Sequence, residues 1–339
     1  MSLYLDDISM LASNLLNRAG LDSNIQSIMK LEHGGNNQLF KVQNNSNSYV
    51  LKIYYKQDLN DNLRINSEYA FLEIANLKAP ECVPKIIFYC IESNYLLLEY
   101  INGSKVSSYS RIDINHILQA SNFIKRVNHE KLKYFNKINN ATEACFSIKD
   151  HLELIDFRLN ELNIISSKNS DFFDIISKIN EEWLYVKEDS LSKCYFYNIH
   201  VNEYLSEDQK IISPSDFGFH NSILRGKNFV FIDFEYAGWD DPAKLVGDFF
   251  AQIAIPISNE FLNVFIENAL DIQSTNCQDY LRIKILFNVY KIKWCCIVLN
   301  IFLEKHFNRR FFANPNINIE LHKSEQINKA KLILESIYL

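Results

Sequence analysis

The sequence predicts an α+β fold in two parts: a small N-terminal antiparallel β-sheet with one helix, then a larger, mostly α-helical C-terminal region. Three observations predict it. Five strand-like segments crowd into the first hundred residues around a single helical pattern. Beyond Gly103-Ser104 the apolar period is mostly helical. One strand-rich island, Lys210 to Phe234, interrupts those helices. With 339 residues the chain is long enough for two domains, expected at 1–102 and 103–339.

Residues 3–18 place Leu5, Ile8, Leu11 and Leu15 on one helical face, and Gly20 is a stop signal. Strands follow at Ser27 to Glu32, Gln38 to Gln43 and Ser48 to Tyr55, separated by the turns His33-Gly34-Gly35-Asn36 and Asn44-Asn45-Ser46-Asn47. A helix over about Asn62 to Leu77 is punctuated by Pro80 and Pro84. Lys85 to Ile91 and Tyr95 to Tyr100 are strands around Glu92-Ser93-Asn94. Helices are then expected at about 114–128, 148–164, 170–187, 258–270, 279–305 and 324–337, and Asp241-Pro242 reads as an N-cap followed by the first helical residue.

Apolar residues at 47% and charged residues at 22% are ordinary for a globular chain. A net charge of −6 argues against nucleic acid as a partner. Seven cysteines without a CxxC pair suggest reduced thiols rather than a zinc or redox site. Asp6 and Asp7 stand where a signal peptide would be basic, and the apolar runs Phe249 to Ile257 and Cys295 to Leu303 fall short of the roughly 20 residues of a membrane span. The expectation is a cytoplasmic protein that engages no membrane and acts on a small molecule.

Chemistry concentrates in the strand-rich island. Asp216 and Asn221 stand five apart on a loop with Pro214 and Gly218, and Asp233 ends the strand-forming run Phe229-Val-Phe-Ile232. A hairpin around Arg225-Gly226-Lys227 brings loop and strand end together. Two carboxylates and an amide oxygen then suit Mg²⁺, which takes one or two protein carboxylates and completes its shell with phosphates and water. They also suit a hydroxyl that must be oriented for phosphoryl transfer. Lys52, inside the apolar strand Val50-Leu51-Lys52-Ile53-Tyr54, is costly there unless paired or functional.

The segments Ser213-Pro-Ser-Asp-Phe-Gly-Phe-His-Asn221 and Ile232-Asp-Phe-Glu-Tyr236 resemble the catalytic and metal-binding loops of the aminoglycoside-phosphotransferase and choline-kinase superfamily, whose members share a protein-kinase-like fold. The family's loop reads His-x-Asp-x₄-Asn and its later motif Ile-Asp-Phe/Trp-x. The resemblance implies a small-molecule kinase using ATP and Mg²⁺, with Asp216 as catalytic base and Asn221 and Asp233 as metal ligands. It implies that Lys52 contacts the α- and β-phosphates and is held by Glu68, in preference to Glu73. Gly34 and Gly35 would let the backbone approach phosphate. Backbone groups at Glu99, Tyr100 and Ile101 would bond adenine, and Asp248 would brace the catalytic loop. Pro214 replaces the family's His two residues before the base, and Gly218 stands where a second His is common. That departure motivates a second reading, a nucleotide-binding pseudokinase with a regulatory or scaffold role. Aromatics (Trp239, Tyr236, Trp294, Tyr290) and acids (Asp240, Asp241, Glu235) are available for an acceptor, expected to be a sugar or an amino alcohol such as choline or ethanolamine. The basic run Lys305 to Arg310 reads as a solvated face.

Overall fold

The computed structural model describes residues 5–31, 35–56, 63–107, 111–166, 170–273, 275 and 277–337. The chain opens with helix α1 (Leu5–Arg18) and strands β1 (Ile25–Leu31), β2 (Gln38–Asn44) and β3 (Ser48–Ile53). Helix α2 (Leu63–Lys78) and strands β4 (Ile86–Cys90) and β5 (Tyr95–Glu99) follow, completing an antiparallel sheet of order β1-β2-β3-β5-β4. Period-two alternation gives this sheet two dissimilar faces. Phe40, Val42, Leu51, Ile53 and Leu97 pack against Ile8, Ala12, Leu15 and Leu16 of α1. Leu96 and Leu98 point the other way and join Ile65, Phe71, Leu72 and Ala75 of α2 in the main core. Lys52 stands directly opposite Leu96 in the β3–β5 register and so shares the α2 face.

The second region contains β6 (Ser104–Lys105), α3 (Ile114–Asn128), α4 (Ile148–Ser166), α5 (Ser170–Phe196), β7 (Ile211–Ser213), β8 (Ser222–Arg225), β9 (Asn228–Phe231) and β10 (Gly238–Asp240). It continues with α6 (Pro242–Ala251), α7 (Leu262–Leu270), α8 (Gln278–Val298), α9 (Glu304–Ala313) and α10 (Ile319–Glu335). The expected hairpin is β8–β9, turning at Gly226 with φ +67°, and β6 adds to its edge. That edge needs Gly103: a Cβ there would stand 2.5 Å from Leu224 O. Asp241 caps α6 by accepting from Ala243 N at 2.6 Å, with Pro242 in the first turn as expected.

The helix expected over 279–305 is in fact two. α8 ends at Val298, a 3₁₀ turn spans Leu299–Phe302, and Leu303 is extended (φ −84°, ψ 129°) before α9 starts. α5 runs nine residues past its expected end at 187, because Ser190 and Cys194 continue the buried stripe begun by Trp183 and Val186. The stretch Gln278–Phe302 contains a window of mean hydropathy 1.5 and is long and apolar enough to cross a membrane, yet 67% of that window is buried within the fold. It packs against α4, α5, α6 and α10 as a core helix. All seven cysteines are free thiols.

Candidate active site

A cleft of about 260 Å³ lies between the sheet and the β8–β9 hairpin. Of the residues singled out in the sequence, Gly35, Lys52, Glu68, Glu99, Tyr100, Ile101, Asn221 and Asp233 line it. Gly34 and the preceding His33 lie outside the described residues. Val50, Leu98, Ile223 and Ile232 supply apolar walls. At its back Glu99 and Tyr100 spend their N–H groups on the carbonyls of Lys85 (2.9 Å) and Ser48 (3.2 Å). The N–H of buried Ile101 takes no backbone acceptor among the described residues.

Lys52 organises the cleft. Its Nζ is 2.5 Å from Glu68 Oε2 and 2.5 Å from Asp233 Oδ1. Helical spacing selects Glu68 over Glu73: Glu68 shares the buried face with Ile65, Phe71 and Leu72, whereas Glu73 bonds Tyr69 at an exposed site. The Tyr54 hydroxyl donates to the same Glu68 oxygen at 2.5 Å. Burial works to lower the Lys52 pKa, but Asp233, Glu68 and Glu235 overrule it and hold the ammonium above its ordinary value. Asp233 is raised too, but in a carboxyl that shift disfavours the charged form. Burial in the cleft, helped by Glu235 and Glu68 and opposed by Lys52, raises its carboxyl to about 6. Its side chain nevertheless keeps 39% of its surface open to the cleft. A third acid, Glu235, is fully spent. Asn37 and Asn36 donate to it at 2.6 and 3.0 Å, and Arg64 Nη1 lies 3.3 Å away. These bonds tie the β1–β2 turn and α2 to the segment after Asp233. Sequence reasoning offered Glu235 only as an acceptor-site acid and missed this role, because its partners lie up to 199 residues away.

The loop after β7 carries the second half of the site. The Ile232 N–H donates to Asn221 O at 2.9 Å and joins the loop to the strand end, as the hairpin argument required. Two non-glycine residues take left-handed backbone here, Ser215 at φ +66° and Asp233 at φ +68°. Such residues persist only where surrounding contacts impose them, and they cluster at functional sites. Asn221 Nδ2 donates to the Asp216 carbonyl (2.9 Å) and to Asp216 Oδ2 (3.2 Å). His220 Nε2 lies 3.2 Å from Asp216 Oδ1. Burial alone would raise the Asp216 pKa, but His220 and Asn221 bring it below the ordinary value, so the carboxylate stays ionised. His220 is a contact to Asp216 that spacing did not reveal. It supplies from four residues after Asp216 an imidazole contact to the carboxylate, in a loop where Pro214 and Gly218 replace the family's histidines. Gly218 makes this possible, since a Cβ there would stand 2.7 Å from His220 Nδ1.

Beneath the loop lies an enclosed polar network. Lys244 Nζ reaches Ser215 Oγ (2.8 Å) and Asp240 (2.5 Å). Asp248 accepts from Lys293 (2.9 Å) and from Trp294 Nε1 (2.9 Å). Lys244 is thus the direct side-chain brace on the Asp216 loop; Asp248 lies 3.8 Å from Lys244 behind it and also joins α6 to α8. Asp241 accepts from Arg282 at 2.6 Å and pairs with His151 at 2.9 Å, while His151 Nδ1 meets the Tyr290 hydroxyl at 2.7 Å. Trp239 and Tyr290 are buried in the core and, like Asp240 and Asp241, do not face the cleft.

The donor set fits a shared Mg²⁺. Among the described residues no three His, Cys, Asp or Glu side chains form a cage, but Asp233 and Asn221 present hard oxygens to one cleft, the sparse set that suits a metal also held by phosphates.

No protein-family model matches the sequence, and no curated protein matches it. Solved structures do match over nearly full length. A choline kinase from Cryptosporidium parvum is 16% identical with a TM-score of 0.61, covering 99% of this chain and 100% of that one. A Plasmodium vivax ethanolamine kinase is 15% identical with a TM-score of 0.59, covering 99% and 92%. A spectinomycin phosphotransferase bound to ADP and spectinomycin is 11% identical with a TM-score of 0.62, covering 97% and 98%. The chain has the protein-kinase-like fold shared by the choline, ethanolamine and aminoglycoside kinases.

Proposed function

We propose that this chain is an ATP- and Mg²⁺-dependent kinase that transfers the γ-phosphoryl group to a hydroxyl of a small alcohol. The observation that carries it is Lys52, paired at once with Glu68 and Asp233 in a cleft that also holds Asn221. An ammonium has three donors; two are used, and the third is offered to the nucleotide's phosphates. The Ile101 N–H is the donor offered to adenine. Asp233 and Asn221 would hold Mg²⁺, which when bound neutralises charge on the triphosphate. Asp216, kept ionised by His220 and Asn221, orients the acceptor hydroxyl and accepts its proton. In this reading residues 1–102 form the nucleotide lobe, and 103–339 the catalytic and acceptor lobe. Likeness to kinases of choline, ethanolamine and spectinomycin supports a sugar or amino alcohol as acceptor. The His220–Asp216 contact weighs against the pseudokinase reading, whose motive was the absence of the family's histidines at Pro214 and Gly218.

The test is the melting temperature with and without Mg²⁺·ATP for wild type and Asp233→Ala, repeated with a panel of small alcohols. A ligand that binds only the folded state raises the midpoint. A Mg²⁺-dependent rise absent from Asp233→Ala supports the site, and an added shift with one alcohol names the acceptor class. A well-folded protein indifferent to every nucleotide would sink the kinase reading.

A further inference from the structure

Helix α9 carries Lys305, His306, Arg309 and Arg310, the run expected to be a solvated face. It is not one. Gln38 Nε2 donates to Phe312 O at 3.0 Å, and the Phe312 ring packs on Tyr55 with centroids 5.4 Å apart, so the end of α9 is pinned to the sheet. This lays Arg309 and Arg310 over the mouth of the cleft. Arg309 Nη1 is 3.4 Å from the hydroxyl of Tyr236, three residues after Asp233. Arg310 Nη1 is 3.8 Å from where a Cβ on Gly35 would stand, and Gly35 lines the nucleotide cleft.

The charges nearby differ in how they are matched. Lys305 pairs with Glu161 at 2.9 Å, and Arg158 with Glu143 at 2.5 Å. Arg309 and Arg310, both half-buried, have no carboxylate in salt-bridge reach among the described residues. The Arg309 Nε is buried and makes no hydrogen bond. His306 reports the resulting field: burial, then Arg309, Lys305, Arg158 and Arg310, push its pKa down to about 3. Two adjacent guanidiniums, partly stripped of water and set beside Gly35, have no anionic partner among the described residues. Their planar forks match an oxyanion in bidentate fashion.

We propose that Arg309 and Arg310 form a phosphate-type oxyanion site at the mouth of the cleft, supplied by either the terminal phosphate of the nucleotide or an acidic group on the acceptor alcohol. The site itself stands on the arginine geometry; only the choice of owner rests on the kinase reading.

The test is calorimetric titration of the full chain, wild type against Arg309→Gln/Arg310→Gln, with Arg310→Gln alone in reserve should the double variant melt early. The probes are inorganic phosphate, Mg²⁺·ADP, a Mg²⁺-bound non-hydrolysable ATP analogue, and glycerol 3-phosphate added over Mg²⁺·ADP. Loss of charge-assisted contacts should weaken the relevant oxyanion by about tenfold or more while Mg²⁺·ADP binds as before. If the ATP analogue falls towards ADP, the terminal phosphate is the occupant. If both nucleotides are unaffected and glycerol 3-phosphate is lost, the occupant belongs to the acceptor. Should wild type refuse Mg²⁺·ADP yet bind phosphate through the arginines, the anion site stands and the kinase reading falls. Oxyanion probes that bind neither protein, or bind both equally, would overturn the proposal.

Discussion

Two clusters of buried charge lie on either side of the loop between β7 and β8, and they are built differently. The cleft cluster sets three acids, Glu68, Asp233 and Glu235, against two bases, Lys52 and Arg64. One of its acids, Asp233, remains partly open. The cluster below the loop sets Asp240, Asp241 and Asp248 against Lys244, Arg282 and Lys293, every one of them buried. A balanced, enclosed network has its stabilising partners already and contributes to the native state alone. An acid-rich, half-open one is left to be completed, in the proposed function, by a cation and phosphates from outside. On that reading the same residue types serve binding on one side and rigidity on the other, and substitutions should separate the two.

The largest expected effect is on turnover. Asp216→Asn keeps the hydrogen-bonding shape beside His220 and Asn221 but removes the proton acceptor. Steady-state phosphorylation of the accepted alcohol should fall by about 10²–10⁴-fold, while the melting temperature and Mg²⁺·ADP affinity hold. Unchanged turnover would remove Asp216 as base. Next comes Lys52→Ala, which breaks the open cluster. Nucleotide affinity should be lost, and the stability cost softened because Asp233 can turn to solvent while buried Glu68 keeps the Tyr54 hydroxyl as a donor. Lys244→Ala breaks the closed cluster and leaves Asp240 buried without its cation, at a cost of about 3–5 kcal/mol. Denaturant unfolding of the two variants decides whether the clusters differ as argued. A cost at Lys52 equal to that at Lys244 would erase the distinction.

How much of this was legible in sequence follows from the range of the interactions. Lys52 was legible because an ammonium in an apolar strand demands a partner, whereas Glu68 was preferred to Glu73 only through the family resemblance, and the buried face of α2 agrees with that choice. Asp216, Asn221 and Asp233 were legible because one loop and one hairpin bring them together. His220 was not, because its reach to Asp216 depends on the left-handed turn at Ser215 and the missing Cβ of Gly218. Glu235 was misjudged because its partners Asn36, Asn37 and Arg64 come from another part of the chain. The break between α8 and α9 carries neither Gly nor Pro, so the apolar period ran through it. With that break hidden, Lys305 to Arg310 read as a solvated face after a helix rather than as part of a helix whose end is pinned to the sheet.

The smallest effect concerns acid, and it tests the closed cluster without breaking it. His151 is buried and neutral, donating through Nε2 to Asp241 and accepting at Nδ1 from Tyr290; burial lowers its pKa. Below about 6.5 the unfolded chain therefore takes up this proton first, and stability declines. Asp240 has the opposite sign. Burial, against the pull of Lys244 and Lys293, raises it to about 6, so between 6 and its ordinary 3.8 the folded state takes up the proton first and stability grows. These contributions oppose one another in mild acid. Asp241 then acts with nothing in the cluster to offset it. Burial would raise it, but Arg282 and His151 hold it at about 2, against an ordinary 3.8. Its stabilisation is complete above 3.8 and drains away as pH falls through 2. Wild type should lose stability more steeply than Asp241→Asn over that interval when melting temperature is followed against pH. Parallel profiles would mean that the Asp241–Arg282 pair is not the charge-bearing centre of the closed cluster.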